Sequence, residues 1–519
     1  MNLYRPFISS FYSRFLGLFT QKITKLSAKI YLTEKTGLVE FETTIKFRPT
    51  NNNQTIHFLL SRDCKPFEIN YLGLPLKFKT KPLRFLNNIQ LLIIELPIKP
   101  SISLDLTLTF KYYCSQSQYI SFNSESILID NRGRLFPYTP EDGKYYSEVN
   151  LIIPQSLHII SGGKIIRKTL KHNGQHLTIG GDSSNLSFIM TPSLKTTETI
   201  GDITITLLYP RQYLNQARTL INLTKLIVQK YLDNYGNPNN LLINIAIIPG
   251  DFEIYFDGDN IIIPTSLLER IKEEGKNPKE REKLYFINLV HQLSKYWWNN
   301  LSLTHPDEIW LLNGVTKYSA LLTIKDTYGD ECFYQMIAKL QQNYVNSIGY
   351  RENISIIKSS YGLGRDWEIN YPLNVLLIHT LNFLSNGKIN QILQQIKQEQ
   401  QLSWTKLITL INKKYDLDLK WLTDNFIKKH SKCSLELTKV EWEKSEFKGN
   451  FLEKNKGWKG PIEILLVYED NETLYKWDGL TLIKTKEDIK KIIIDPNLYI
   501  PGNTSGVVYE NNFLKEVSL

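Results

Sequence analysis

Residues 284–298 read LYFINLVHQLSKYWW, and the rest of the chain is best read outward from them. Projected at about 3.6 residues per turn, Phe286, Leu289, Val290, Leu293 and Trp297 share one face. Leu284, Ile287 and Trp298 carry apolar cover round to the other side. The pattern predicts a helix buried nearly all round. Asn288, His291, Gln292 and Lys295 interrupt it. Buried polar groups need partners, so a cluster of them in a core helix marks a candidate site. His291 and Lys295 are spaced to project from one face, one turn above the other. The same spacing lets H-E-x-x-H place two imidazoles on one zinc, with Glu as general base. Here the letters are H-Q-L-S-K. Taken alone, a histidine in a core helix is more often structural than a ligand.

Helical patterns continue around this stretch, at residues 212–234, 279–298, 307–324, 331–345, 372–384, 389–399, 404–414 and 419–429. The first is expected to stop at Gly236, which supplies the left-handed conformation that ends many helices. Strands are expected at 203–209, 241–248 and 260–264. Upstream the text is rich in Thr, Ile, Tyr and Phe, with strand patterns at 29–32, 39–47, 89–96, 104–112 and 149–153. Turns fall at Asn51-Asn52-Asn53, Asn131-Arg132-Gly133 and Gly162-Gly163. The β pattern returns after residue 434, as in 462–468 and 492–494. The expected fold class is therefore multidomain α+β: a β domain over 25–202, a mixed then helical domain over 203–432, and a small β domain over 433–519. A chain of 519 residues has length for about three such cores.

The order and spacing of the motifs resemble those of the aminopeptidase N family of gluzincin zinc metallopeptidases, to which leukotriene hydrolase also belongs. The family signature is H-E-x-x-H, an aromatic pair and Asn-Leu, then a Trp-Leu-Asn-Glu-Gly segment carrying the third zinc ligand. Trp297, Trp298, Asn300 and Leu301 match the first part, and Trp310, Leu311, Gly314 and Tyr318 the second. Asn313 then stands where the ligand Glu belongs, after a loop one residue shorter. Residues 256–260 (FDGDN) resemble a weakened form of the family's substrate-binding segment, with Asp259 at its Glu position and Asn260 retained. Tyr371 matches the tyrosine that stabilises the tetrahedral intermediate. LFPY at 135–138, LIIPQSLHIISG at 151–162 and residues 494–512 resemble the ends of its N- and C-terminal β domains. The resemblance spans residues 30–519. It implies a β-sandwich-like first domain, a thermolysin-like second and a small C-terminal β-sandwich.

The same alignment implies that the chemistry is lost. A gluzincin site needs three protein ligands, a carboxylate base and an oxyanion stabiliser. Of the ligand positions only His291 is conserved in type; Lys295 is a cation, Asn313 a poor ligand, and Gln292 cannot take a proton from water. No cofactor is expected, with zinc required only by the competing reading of a peptide hydrolase that works through a rearranged site. The leading expectation is a non-catalytic aminopeptidase-like protein that uses its cleft or surface to bind a peptide or protein. The Lys295 ammonium is expected near the vacated metal position, donating to Asn313 and to His291 or a water. Elsewhere, His172 and His176 flank a turn rather than share a helix, and His305, His379 and His430 lack companions at ligand spacing. There is no GxSxG and no phosphate loop; Gly362 and Gly364 read as a loop.

Hydrophobic residues are 42% and charged residues 22% of the chain, an ordinary globular balance rather than a disordered one. The net charge is +10, but Lys and Arg are interspersed with Asp and Glu, without the stripe that a nucleic-acid binder presents. Phe7, Phe11, Phe15 and Phe19 recur every fourth residue in a segment, 1–24, that contains no acid. That segment reads as a peripheral membrane contact, a targeting peptide or a docked helix. Arg14 argues against a secretory signal, and no apolar run is long enough to span a bilayer. Cys64, Cys114, Cys332 and Cys433 lie far apart and are expected to be isolated thiols in a reducing compartment, cytoplasmic or membrane-peripheral.

Overall fold

Alternation at period two organises the first part of the chain. In the Leu38–Pro49 strand, Val39, Phe41, Thr43, Ile45 and Phe47 turn inward while the residues alternating with them are half-buried or exposed. This computed structural model describes residues 21–33, 38–83, 88–117, 120–122, 126–130, 135–139, 145–172, 174–182, 187–238, 241–257, 260–299, 301–303, 308–348, 366–428, 433, 435–443, 446–453, 458–478, 482–485, 487–502 and 508–510. Residues 1–20 with Phe7, Phe11, Phe15 and Phe19, Asp259, Asn300, His305, His430 and Gly362–Gly364 lie outside them, while residues 21–24 of the N-terminal segment begin the Gln21–Thr33 strand. The protein is a mixed α/β multidomain chain with many sheets and more strands than helices. It divides into two compact units, Met1–Gln229 with Pro238–Tyr296, and Lys230–Asn237 with Trp297–Leu519.

In the first unit an eight-stranded sheet runs in the order Lys164–Lys171, Gly174–Asp182, Tyr146–Ile153, Gln21–Thr33, Leu38–Pro49, Leu106–Ser115, Cys64–Tyr71, Leu74–Pro75. Its inner face packs on a three-stranded sheet of Thr55–Ser61, Ile89–Glu95 and Phe78–Pro82. The edges of Phe47, Phe58 and Phe110 interlock across that core. A short Phe188–Thr191 strand serves two cores at once. Phe188 and Met190 join the first, and Ile189 joins a second with Leu208, Ala246 and Ile262. That second core lies against a five-stranded sheet ordered Leu194–Ile200, Ile203–Tyr209, Leu242–Ile248, Asn260–Pro264, Tyr255–Asp257. Its Ile203–Tyr209, Leu242–Ile248 and Asn260–Pro264 strands are parallel, and the edge strand Tyr255–Asp257 is antiparallel.

The expectation of isolated thiols fails for Cys64 and Cys114, which form a disulfide. Sequence distance concealed this, because the two cysteines are 50 residues apart. The antiparallel register of their strands sets them directly opposite each other, with both side chains wholly buried. Cys332 and Cys433 are both buried.

The second unit holds the long Ile309–Ile348 helix, interrupted at Gly329, whose φ of 85° and ψ of 176° break the helical path. The break falls between the two helices expected over 307–324 and 331–345. The Asp366–Leu384 helix begins before Pro372 rather than at it. An interior proline forfeits one backbone hydrogen bond, and burial of nearly every following residue through Leu384 offsets that loss. Helices Ile389–Glu399 and Trp404–Tyr415 follow, the second capped by the Ser403 side chain, which accepts from Lys406 N. A four-stranded and a three-stranded sheet close the chain. Among the described residues no helix is long and apolar enough to cross a membrane.

Candidate functional site

The quoted stretch forms the C-terminal part of the Pro278–Trp298 helix. Its burial departs from the expected uniform cover. Leu284, Ile287, Asn288, His291 and Lys295 are half-buried, and the other residues from Tyr285 to Trp298 are buried. Their spacing traces one stripe along the helix, so His291 and Lys295 occupy its single more accessible face.

On that face the Lys295 ammonium donates to Gln292 Oε1 at 2.7 Å, and Gln292 Nε2 donates to the Ile254 carbonyl at 3.3 Å. Gln292 is thus held at both ends, between its own helix and the segment leading into the Tyr255–Asp257 edge strand. Lys295 Nζ also lies 5.7 Å from the centre of the Phe256 ring, within cation–π range. Phe256 meets Tyr296 edge to face at 5.0 Å, and the Tyr296 hydroxyl accepts from Asn244 N at 3.2 Å. The helix is therefore tied to the sheet by a run of polar and aromatic contacts. Asn260 is wholly buried at the start of its strand. With its amide nitrogen turned toward Ser161 O, its oxygen accepts from Gly162 N at 3.1 Å.

These residues do not suit zinc. An ammonium that donates a hydrogen bond has no lone pair to offer a metal, and a carboxamide engaged at both ends is neither base nor ligand. Among the described residues no group of three or more His, Cys, Asp or Glu could hold a metal ion.

Asn313 and Tyr371 belong to the second unit. Gly314 packs so tightly on the Asp366–Leu384 helix that an added Cβ would stand 2.9 Å from the Asn374 Cβ, so the close approach requires glycine there. Asn313 precedes that glycine, and Tyr371 lies one turn before Asn374, which places both candidates at the crossing of the two helices. Asn313 is half-buried, and burial raises the Tyr371 phenol above its usual range. Lys317, one turn beyond Asn313, is pulled down to about 8 by burial, with a smaller contribution from Lys339. The aromatic pair has structural partners: Trp297 Nε1 donates to Gly236 O at 2.7 Å, and Trp298 Nε1 to Ser319 Oγ at 2.9 Å.

Sequence reasoning passed over a buried network in the same unit. The Tyr318 hydroxyl meets His379 Nδ1 at 3.1 Å, His379 Nε2 meets the Asn497 carbonyl at 2.9 Å, and Asn497 Nδ2 donates to Glu463 Oε2 at 2.6 Å. Burial lowers His379 to about 4 and raises Glu463 to about 7. Their distance in sequence hid the connection; the only signal was an isolated histidine in an apolar helix. The His172–His176 turn is a hairpin, with Lys171 paired to Gly174. No protein-family model matches the sequence, and a search of the curated proteins finds no match.

Proposed function

We propose that the chain is an aminopeptidase N-like protein that does not cleave peptides and uses the former catalytic helix to bind one. In this reading residues 203–432 form a thermolysin-like domain, preceded by a β-sandwich-like domain and followed by a small β-sandwich. Support comes from the parallel strands with an antiparallel edge strand ahead of the H-Q-L-S-K helix, and from the motif order along the chain. The observation that carries the proposal is the Lys295–Gln292 hydrogen bond. It joins the residue at the second ligand position to the residue at the base position, and leaves a fixed positive charge on the accessible face of the helix. Such a charge attracts a peptide carbonyl or C-terminal carboxylate by hydrogen bonding, without polarising it as zinc would.

Elemental analysis and an aminoacyl-p-nitroanilide assay with added zinc test this on the full chain. The expected result is far less than one zinc per chain and no hydrolysis above background. Stoichiometric zinc that disappears in His291→Ala, or zinc-dependent turnover, would overturn the proposal and favour a peptidase with a rearranged site.

A further inference from the structure

A basic recess lies far from the His291 helix in sequence, on the outer face of the eight-stranded sheet. Four strands build it. Their register aligns Lys29, Asn150, Thr178 and Arg167 in one cross-strand row. The neighbouring row brings Ile152, His176 and Thr169 together, with Tyr31 beside them. Lys171 completes the lining of a pocket of about 310 Å³, at the lower end of the size range of small-molecule sites. No carboxylate lines it.

A local irregularity in the edge strand produces this composition. Lys164–Lys171 is exposed along its whole length, and its pairing shifts by one residue between Ile165 and Arg167. Strict alternation after the Ile165–Ile179 pair would set Ile166, Lys168 and Leu170 on the pocket face. The bulge instead sets Arg167, Thr169 and Lys171 there, because a one-residue slip exchanges the two faces of a strand.

The charges are not equivalent. Lys29 is engaged with Glu42 at 2.9 Å, and that hydrogen bond raises its pKa. Among the described residues neither Arg167 nor Lys171 has an ion pair, so two positive charges face the pocket without a protein counter-ion. Thr178 Oγ1 donates to Asn150 Oδ1 at 2.8 Å, which leaves the Asn150 amide nitrogen as a further donor. Tyr31 and Ile152 supply the apolar part of the lining.

We propose that this pocket binds a small phosphate monoester, with the dianionic phosphate held by Arg167 and Lys171 and the organic part against Tyr31 and Ile152. A guanidinium fork matches two phosphate oxygens, the Asn150 amide and the Thr169 hydroxyl can donate to a third, and two cations balance a dianion.

Isothermal titration of the full chain with phenyl phosphate and with inorganic phosphate, at physiological salt, tests the site. Phenyl phosphate should bind saturably and more tightly than inorganic phosphate. Arg167→Ser and Lys171→Ser should each weaken it at least tenfold, with circular dichroism and thermal midpoint unchanged because both side chains are exposed. Lys168→Ser removes the same charge from the same strand outside the pocket lining and should leave binding unaltered. Absence of saturable binding to phenyl phosphate, or equal weakening by Lys168→Ser, would overturn the proposal.

Discussion

Lys295 Nζ donates to Gln292 Oε1 at 2.7 Å, one turn apart on the same helix, and the other end of Gln292 holds the Ile254 carbonyl at 3.3 Å. A positive charge in a largely buried helix is tolerated because a fixed amide and an aromatic ring add to what solvent reaches it on the half-buried face.

The pair should behave as a coupled unit. Lys295→Met leaves the buried Gln292 oxygen without this donor and should cost about 1–3 kcal/mol. Gln292→Leu removes both of its hydrogen bonds and should cost a similar amount. The double variant should cost less than the sum, with a coupling of about 0.5–3 kcal/mol in urea unfolding. Strict additivity would mean that the hydrogen bond contributes nothing in solution.

Gln292→Glu with Lys295→His recreates H-E-x-x-H on an unchanged helix. Two imidazoles one turn apart should bind zinc where the parent does not. Zinc at a hundred times its dissociation constant should then stabilise the variant by about 2.7 kcal/mol. A thermal midpoint that does not respond to zinc would show that the two side chains do not share a metal-accessible face.

The Cys64–Cys114 disulfide should be detectable as two thiols missing from a denatured, unreduced sample in a thiol titration. It closes a loop of 50 residues, and chain entropy assigns about 4 kcal/mol to a loop of that size. Replacing both cysteines by alanine should lower stability by about 2–5 kcal/mol. Four free thiols in the native protein would contradict the pairing.

Glu463 and His379 give stability opposite dependences on pH. The folded pKa of Glu463 is raised to about 7 from 4.5, so its contribution is fully present below 4.5 and is lost as pH rises through 7. The folded pKa of His379 is lowered to about 4 from 6.5, so its contribution is present above 6.5 and is lost as pH falls through 4. Glu463→Gln should therefore gain stability relative to the parent as pH rises from 5 to 8. A difference in thermal midpoint that stays constant over that range would rule out titration of Glu463.

What the sequence by itself determined was local. β-rich composition between turns placed a strand over 39–47, where the Leu38–Pro49 strand lies, and a glycine stop ended the helix expected over 212–234, observed as Leu214–Tyr235 with Gly236 at a φ of 69°. Both depend on neighbours within a few residues, so the letters suffice. The polar cluster on the His291 helix was legible for the same reason, whereas its hydrogen-bonding partners were not. Tertiary structure alone decided that Gln292 reaches Ile254 and that Cys64 faces Cys114. It also linked His379 through Asn497 to Glu463, and brought Lys29, Arg167 and Lys171 around one pocket. Each of these joins residues far apart in the chain, and each is set by strand register or helix packing. A shift of one residue in register exchanges the faces of a strand without changing a letter of its sequence, so such contacts exist only once the chain has folded.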